Sequence, residues 1–248
     1  MQAKAWEARR RVEIKPIGLK AGHRIGIVGS FEELIATRFA GDVNALCWPR
    51  RLPGDFQEIL GHLDTEEGLA TIGDEDLRAL ALSPAGVVAR DVLLADQALL
   101  RGRGLAPTLD CITGYPRDLA EGPVPTDVYS FHVDSAPVEA DTYLCTYTGS
   151  TSEGLLNEDA VRQVDVAETR VELLRSYGGA DDEHFDSYLS EHCFDLHYRP
   201  LPGAQPYSFG LGNLWRVAIA YPGCPVLPCI HRAPLTLPGD LTRLLLIS

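Results

Sequence analysis

The sequence has little of what several common protein classes require. Its six cysteines are spread over 248 residues without one Cys-x-x-Cys pair, which disfavours a disulfide scaffold or a Cys-rich zinc site. No apolar run approaches the ~20 residues of a membrane-spanning helix. The first 22 residues contain Lys and Arg but no apolar segment of a secretory signal. We therefore expect a cytoplasmic protein with no membrane partner.

Positive charge is also scarce, because 22 Lys and Arg stand against 35 Asp and Glu, for a net charge of −13. Such a surface repels polyphosphates, so we expect no nucleic-acid partner. The motifs GxxxxGK[ST] and GxSxG are absent, and the Gly210 to Asn213 segment lacks the third glycine of a dinucleotide-binding loop. No local motif indicates a P-loop protein, a serine hydrolase or a dinucleotide-binding enzyme.

Residues 1–105 predict a mainly helical layer. Helix starts are indicated at Ser30, where Glu33 completes a capping box, after Pro53-Gly54, at Asp74 and at Ser83-Pro84. Between the first two, Val43 to Trp48 is apolar enough for a strand. The helices are short and amphipathic, so we expect them to pack against another layer.

From about residue 106, Gly and Pro separate short runs rich in β-branched and aromatic residues, which is typical of an antiparallel sandwich or barrel. The predicted strands are Thr108 to Thr113, Asp127 to Val133, Thr142 to Thr148, Trp215 to Tyr221, Val226 to His231 and Leu241 to Ile247. Residues 166–198 predict a helical insertion, with helices over Val166 to Tyr177 and Asp181 to Tyr198. The pattern favours one α+β domain over residues 1–248, with helices packed on a β-sandwich at 106–248.

The strongest candidate for chemistry is the FHVD segment. Residues i and i+2 of a strand point to one side, so His132 and Asp134 would project together. Two His and one carboxylate on one face form the site of non-haem ferrous oxygenases. The other two HxD pairs lie at or near helices, where this spacing separates the side chains. The alternative is a buried histidine hydrogen-bonded to its neighbour.

A third ligand must come from a distant strand. His231 ends an apolar run, and Arg243 follows twelve residues later beyond a Pro238-Gly239-Asp240 turn. The turn predicts that the two strands pair antiparallel and bring His231 near Arg243. An arginine offers a planar fork to the far carboxylate of a dicarboxylate co-substrate. The alternative is an ion pair between Arg243 and Asp240.

Weaker candidates surround these residues. Tyr143 and Tyr147 share one side of a predicted strand, where a hydroxyl could bind a co-substrate carboxylate; a core or surface position is the alternative. His184, His192, Cys193 and His197 match no closed zinc pattern, and we interpret them as incidental residues of the helical insertion.

The order HxD, His and Arg resembles the iron(II)/2-oxoglutarate-dependent oxygenases. FHVD, CTYTG, IHRAP, RLLL and GDVNALCWPRRLPGDF more narrowly resemble an uncharacterised bacterial family with this pattern, over roughly residues 30–248. The resemblance implies a double-stranded β-helix (a cupin-like jelly roll), Fe(II) ligands at His132, Asp134 and His231, and 2-oxoglutarate binding at Arg243. It further implies that O2 is consumed in hydroxylating, or otherwise oxidising, a small molecule such as an amino acid or a natural-product intermediate.

Two other functions remain open. The first is a cupin-like metalloenzyme that does not use 2-oxoglutarate, and the second is a non-catalytic binding protein with the same fold. A buried Arg243 beside the metal site would favour a dicarboxylate co-substrate over the first alternative. Three intact ligands around an open-faced metal would argue against the second.

Overall fold

The computed structural model describes residues 24–63, 68–117, 122–235 and 241–248. It is a mixed α+β structure built on two large sheets. Among the described residues, no helix has both the length and the apolar character to cross a membrane.

In the described part of the chain, four helices precede the central strands. They are α1 Phe31–Ala36, α2 Phe56–Gly61, α3 Asp74–Ala79 and α4 Pro84–Arg101. The cap residues explain their starts: the Ser30 hydroxyl accepts a hydrogen bond from the Glu33 amide, and the Ser83 hydroxyl accepts one from the Gly86 amide. Pro84 occupies the first turn of α4, where its missing N–H costs nothing. These helices begin at or close to the positions that the sequence predicts.

Among the described residues, the larger sheet contains seven strands, and of their pairings only that of β1 with β2, at one edge, is parallel. In spatial order the strands are β1 Ile25–Ile27, β2 Ala45–Trp48, β11 Leu214–Ala218, β6 Asp141–Thr148, β13 Arg243–Ile247, β4 Thr108–Ile112 and β3 Leu69–Thr71. The smaller sheet, as far as the described residues form it, contains six antiparallel strands. Their order is β10 Tyr207–Ser208, β7 Glu153–Leu155, β12 Ile230–Arg232, β5 Phe131–His132, β9 His197–Pro200 and β8 Ala160–Arg162.

Strand alternation divides the core into two layers. On the outer face of the larger sheet, Tyr147 and Leu244 pack with residues of the N-terminal helices such as Leu93. On the inner face, Leu144 and Trp215 pack with residues next to the smaller sheet. The candidate site lies in this second layer, between the sheets.

The helical insertion is shorter than predicted. Its helices are α5 Ala167–Tyr177 and α6 Glu183–Glu191, packed around a small apolar cluster that includes Leu173 and Phe185. The prediction that helix continues to Tyr198 is wrong, because the chain turns at Cys193, which has a positive φ of 59°, and then forms strand β9. A strand of four residues is too short to leave a clear alternating pattern in the sequence.

The predicted pairing of the two C-terminal strands is also wrong. β12 pairs with β5 and β7 in the smaller sheet, whereas β13 pairs with β4 and β6 in the larger one. The predicted turn at residues 238–240 lies outside the described residues. A turn signal indicates that the chain reverses, but it does not specify whether the chain returns to the same sheet.

Candidate metal centre

His132 and His231 are brought together by strand register. They are directly opposite residues of β5 and β12, so their side chains lie on the same face of the smaller sheet. Their ring centroids are 4.7 Å apart. Asp134 follows His132 by two residues and its carboxylate reaches both rings, so the three side chains predicted as metal ligands form one cluster.

The possible ligand atoms of this cluster all lie within 4.8 Å of one another. His132 Nε2 is 3.8 Å from one oxygen of Asp134, and His231 Nε2 is 3.7 Å from the other. The Thr142 hydroxyl donates a 2.5 Å hydrogen bond to the Asp134 carboxylate from the facing sheet. Within the described residues, no other group of three His, Cys, Asp or Glu side chains is arranged to hold a metal ion.

The hydrogen bonds of both histidines leave the same nitrogen free for a metal. His132 Nδ1 lies 2.8 Å from the carbonyl oxygen of Ser130, and His231 Nδ1 lies 3.3 Å from that of Cys229. A carbonyl can only accept, so each Nδ1 carries a proton and each Nε2 is the ring nitrogen that faces Asp134. This is the usual arrangement of a metal-binding histidine.

The electrostatics favour the ligand forms of His132 and Asp134. Burial, with a smaller contribution from neighbouring His231, lowers the pKa of His132 to about 4, so its imidazole is neutral at neutral pH. Burial acts to raise the pKa of Asp134, but His231 and the Thr142 hydroxyl outweigh it and the pKa is lowered. His132 therefore presents a neutral imidazole and Asp134 a carboxylate, the forms in which these two side chains bind a metal.

Arg243 is buried, with 2% of its surface exposed, on the inner side of the facing sheet. Its guanidinium donates to three hydroxyls: Ser152 at 2.6 Å, Thr146 at 3.3 Å and Tyr115 at 3.3 Å. Among the described residues no carboxylate pairs with it, and its Nε has no hydrogen-bond acceptor. Burial lowers the pKa of Arg243. Asp240, the alternative partner, lies outside the described residues.

The two tyrosines predicted to bind a co-substrate do not reach this space. Tyr143 and Tyr147 pack with the N-terminal helical layer, and the Tyr147 hydroxyl donates to Asp96 at 2.7 Å. Strand alternation predicted that they share a face but could not specify which face. Thr146, between them in the strand, points towards Arg243 instead.

Sequence reasoning missed several residues around the site. Tyr115 and Ser152 lie in segments without a motif, so only the fold shows that they contact Arg243. His197, interpreted from the sequence as incidental, is buried in β9 directly opposite His132. His184 and His192 are exposed on the insertion and take no part in the cluster.

Comparison of the chain with protein-family models, with curated proteins and with solved structures finds no match. The chemistry of the site itself is therefore what indicates a function. An arrangement of two imidazole nitrogens and one carboxylate can occupy one face of a metal ion and leave positions open for other ligands.

Proposed function

We propose that this protein is a non-haem iron(II)/2-oxoglutarate-dependent oxygenase acting on a small organic molecule. The observation that carries the proposal is that two features lie in the space between the facing sheets. One is the His132–Asp134–His231 cluster, and the other is the buried Arg243 without a carboxylate partner in the described part of the chain.

The strand order supports a double-stranded β-helix, or jelly roll. If β4, β5, β6, β7, β10, β11, β12 and β13 are numbered one to eight, the larger sheet carries the order 1-8-3-6 and the smaller sheet 2-7-4-5. All neighbours in these two sets are antiparallel. Two interleaved four-stranded sheets of this kind are expected of a jelly roll built from Greek keys.

His132, Asp134 and His231 would hold the iron through two Nε2 atoms and a carboxylate oxygen. The donor set fits ferrous iron, because imidazole and carboxylate are its usual protein ligands and three coordination positions remain open. With 2-oxoglutarate and O2, iron in such a site supplies oxidising power for a substrate C–H bond, and 2-oxoglutarate leaves as succinate and CO2. Thr142 and the two main-chain carbonyls hold the ligands in orientation.

Arg243 would bind the far carboxylate of 2-oxoglutarate, with Ser152 and Tyr115 fixing the guanidinium. The distance between the metal cluster and Arg243 follows from two residues of strand β6. Thr142 contacts Asp134 at one end of the site, and Thr146 contacts Arg243 at the other. These threonines are four residues apart on one face, or about 13 Å at the rise of a β-strand. That separation leaves room for a metal ion and a ligand with carboxylates at both ends.

The decisive experiment is an anaerobic titration with Fe(II) and 2-oxoglutarate, followed by the visible metal-to-ligand charge-transfer absorption. We expect the band in the wild-type protein, no band in His132→Ala, and a higher 2-oxoglutarate requirement in Arg243→Met. Arg232→Met is the matched control, because Arg232 adjoins His231 in sequence but forms an ion pair with Glu153.

Iron binding without a charge-transfer band at any 2-oxoglutarate concentration would contradict the proposal and favour a metalloenzyme that does not use this co-substrate. Absence of iron binding would instead favour a non-catalytic protein. A band that Arg232→Met weakens as much as Arg243→Met would remove the assignment of Arg243.

A further inference from the structure

We propose that His197 is a positioning residue for His132, acting through Ser130. This inference rests on the proposed function, because it assumes that His132 binds a metal. It assigns a role to a histidine outside the ligand cluster, carried by the strand β9 at the end of the helical insertion.

Ser130 connects the two histidines by two different atoms. Its carbonyl oxygen accepts the hydrogen bond from His132 Nδ1 at 2.8 Å, and its hydroxyl is hydrogen-bonded to His197 Nδ1 at 2.9 Å. The Ser130 amide is fixed as well, by donation to the main-chain carbonyl of Asp127. The hydroxyl contact is therefore the interaction through which His197 sets the position of the Ser130 peptide.

The packing adds a second restraint on the same ring. His197 is directly opposite His132 in the register of β5 and β9 and is 5% exposed. The His132 ring lies between two others, with centroids 4.7 Å from His231 on one side and 5.7 Å from His197 on the other. Rotation of the His132 ring is thus limited by its hydrogen bond and by both neighbouring strands.

The hydrogen bond that holds His231 is longer than the one that holds His132. His231 Nδ1 lies 3.3 Å from the Cys229 carbonyl, and the Cys229 thiol makes weak contacts, 3.7 Å from the Tyr207 hydroxyl and 4.0 Å from the Ile230 carbonyl. Groups that hold the outer nitrogen of a metal-binding histidine change metal affinity by about 10- to 100-fold. We assign this effect to the Ser130–His197 pair on the His132 side.

Cobalt(II) titration of the full chain tests the inference independently of catalysis, since Co(II) binding is visible from its absorption spectrum. Four variants are compared with the wild type: Ser130→Ala, His197→Ala, the double variant and His197→Asn. Asparagine places an amide atom close to the position of histidine Nδ1, so it can keep the contact with Ser130. Urea unfolding of each variant reports whether the fold is intact.

We expect the Kd for Co(II) to rise about 10-fold in Ser130→Ala, and at least as much in His197→Ala, which also removes the ring that packs beside His132. The double variant should lose no more than His197→Ala alone, because the hydrogen bond between the two side chains is already broken in each single variant. His197→Asn should bind within about threefold of the wild type. Wild-type affinity in Ser130→Ala would overturn the inference, as would a double variant whose loss is the product of the single losses. Failure of the wild type to bind Co(II) would overturn the proposed function itself.

Discussion

Arg50 and Arg243 both hold their guanidinium groups inside the protein, on opposite faces of the larger sheet, and their surroundings differ. Arg50 donates two hydrogen bonds to the Asp96 carboxylate, at 2.7 and 2.8 Å, and Asp96 also accepts from the Tyr147 hydroxyl. Burial acts to lower the pKa of Arg50, but Asp96 outweighs it and the pKa is raised. The charge of Arg50 is thus paired with a carboxylate of the protein itself.

Arg243 contacts only neutral hydroxyls in the described part of the chain, and burial lowers its pKa. A buried cation without an anion is costly, so it persists where binding or catalysis requires it. The helix-facing side of the sheet therefore contains a buried ion pair, and the inner side contains a buried cation without a carboxylate partner among the described residues, which under the proposed function binds the co-substrate. The difference can be tested with matched substitutions.

The largest effect is expected from Arg50→Met. The substitution leaves Asp96 buried without its cation, which costs about 3–5 kcal/mol of the free energy of unfolding. Urea unfolding at neutral pH measures this loss. A loss below about 1 kcal/mol would mean that the pair is no more stabilising than a surface ion pair.

Arg243→Met should change the free energy of unfolding little and the affinity for 2-oxoglutarate strongly. The substitution removes a buried cation that has no carboxylate partner among the described residues, and this gain offsets the loss of its three hydrogen bonds to hydroxyls. The free energy of unfolding should therefore stay within about 1 kcal/mol of the wild type. The affinity for 2-oxoglutarate should fall by about 2 kcal/mol or more, or about 30-fold, as the co-substrate carboxylate loses its cation. Isothermal titration of the metal-loaded protein measures the affinity, and equal losses of stability in the two Met variants would break the comparison.

Thr142→Val tests the role of the hydroxyl that donates to the Asp134 carboxylate. The Thr142 hydroxyl favours the ionised form of Asp134, so its loss should raise the pKa of Asp134 and let protons compete with the metal at higher pH. We expect about tenfold weaker Co(II) binding and a fall in affinity that begins at higher pH than in the wild type. An unchanged pH profile would show that the hydroxyl does not act on the ligand.

The smallest effect is expected from Tyr147→Phe. Asp96 keeps both contacts with Arg50, so the loss of one hydrogen bond should cost about 1 kcal/mol of stability. The affinity for 2-oxoglutarate should not change, because Tyr147 lies on the helix-facing side. Weaker co-substrate binding in this variant would restore the original prediction for Tyr147.

Features that depend on residues close together in the sequence were predicted best. The helix starts at Ser30 and Ser83 were predicted correctly, because each is determined by a side chain that caps the helix within a few residues of its own position. Asp134 lies beside His132 as the i, i+2 spacing predicted, although β5 ends at His132 and Asp134 follows the strand. His231 joins these two residues, as predicted, through the pairing of β12 with β5.

Other features depend on contacts between distant segments. The face on which Tyr147 lies is decided by α4, with Asp96 as its partner, and not by the alternation of its own strand. The role of His197 depends on a strand that reaches β5 only after two helices. β13 belongs to the larger sheet because it pairs with β4 and β6, which lie far from it in the sequence. A turn motif describes only neighbouring residues and cannot indicate such a pairing.

The placement of β12 and β13 in different sheets has a mechanical consequence. A co-substrate held by iron near β12 at one end and by Arg243 of β13 at the other would connect the two sheets as a strut. Its binding would restrict how far the sheets separate, in addition to filling the space between them. Amide hydrogen exchange should then slow in both sheets at once when 2-oxoglutarate and metal bind together.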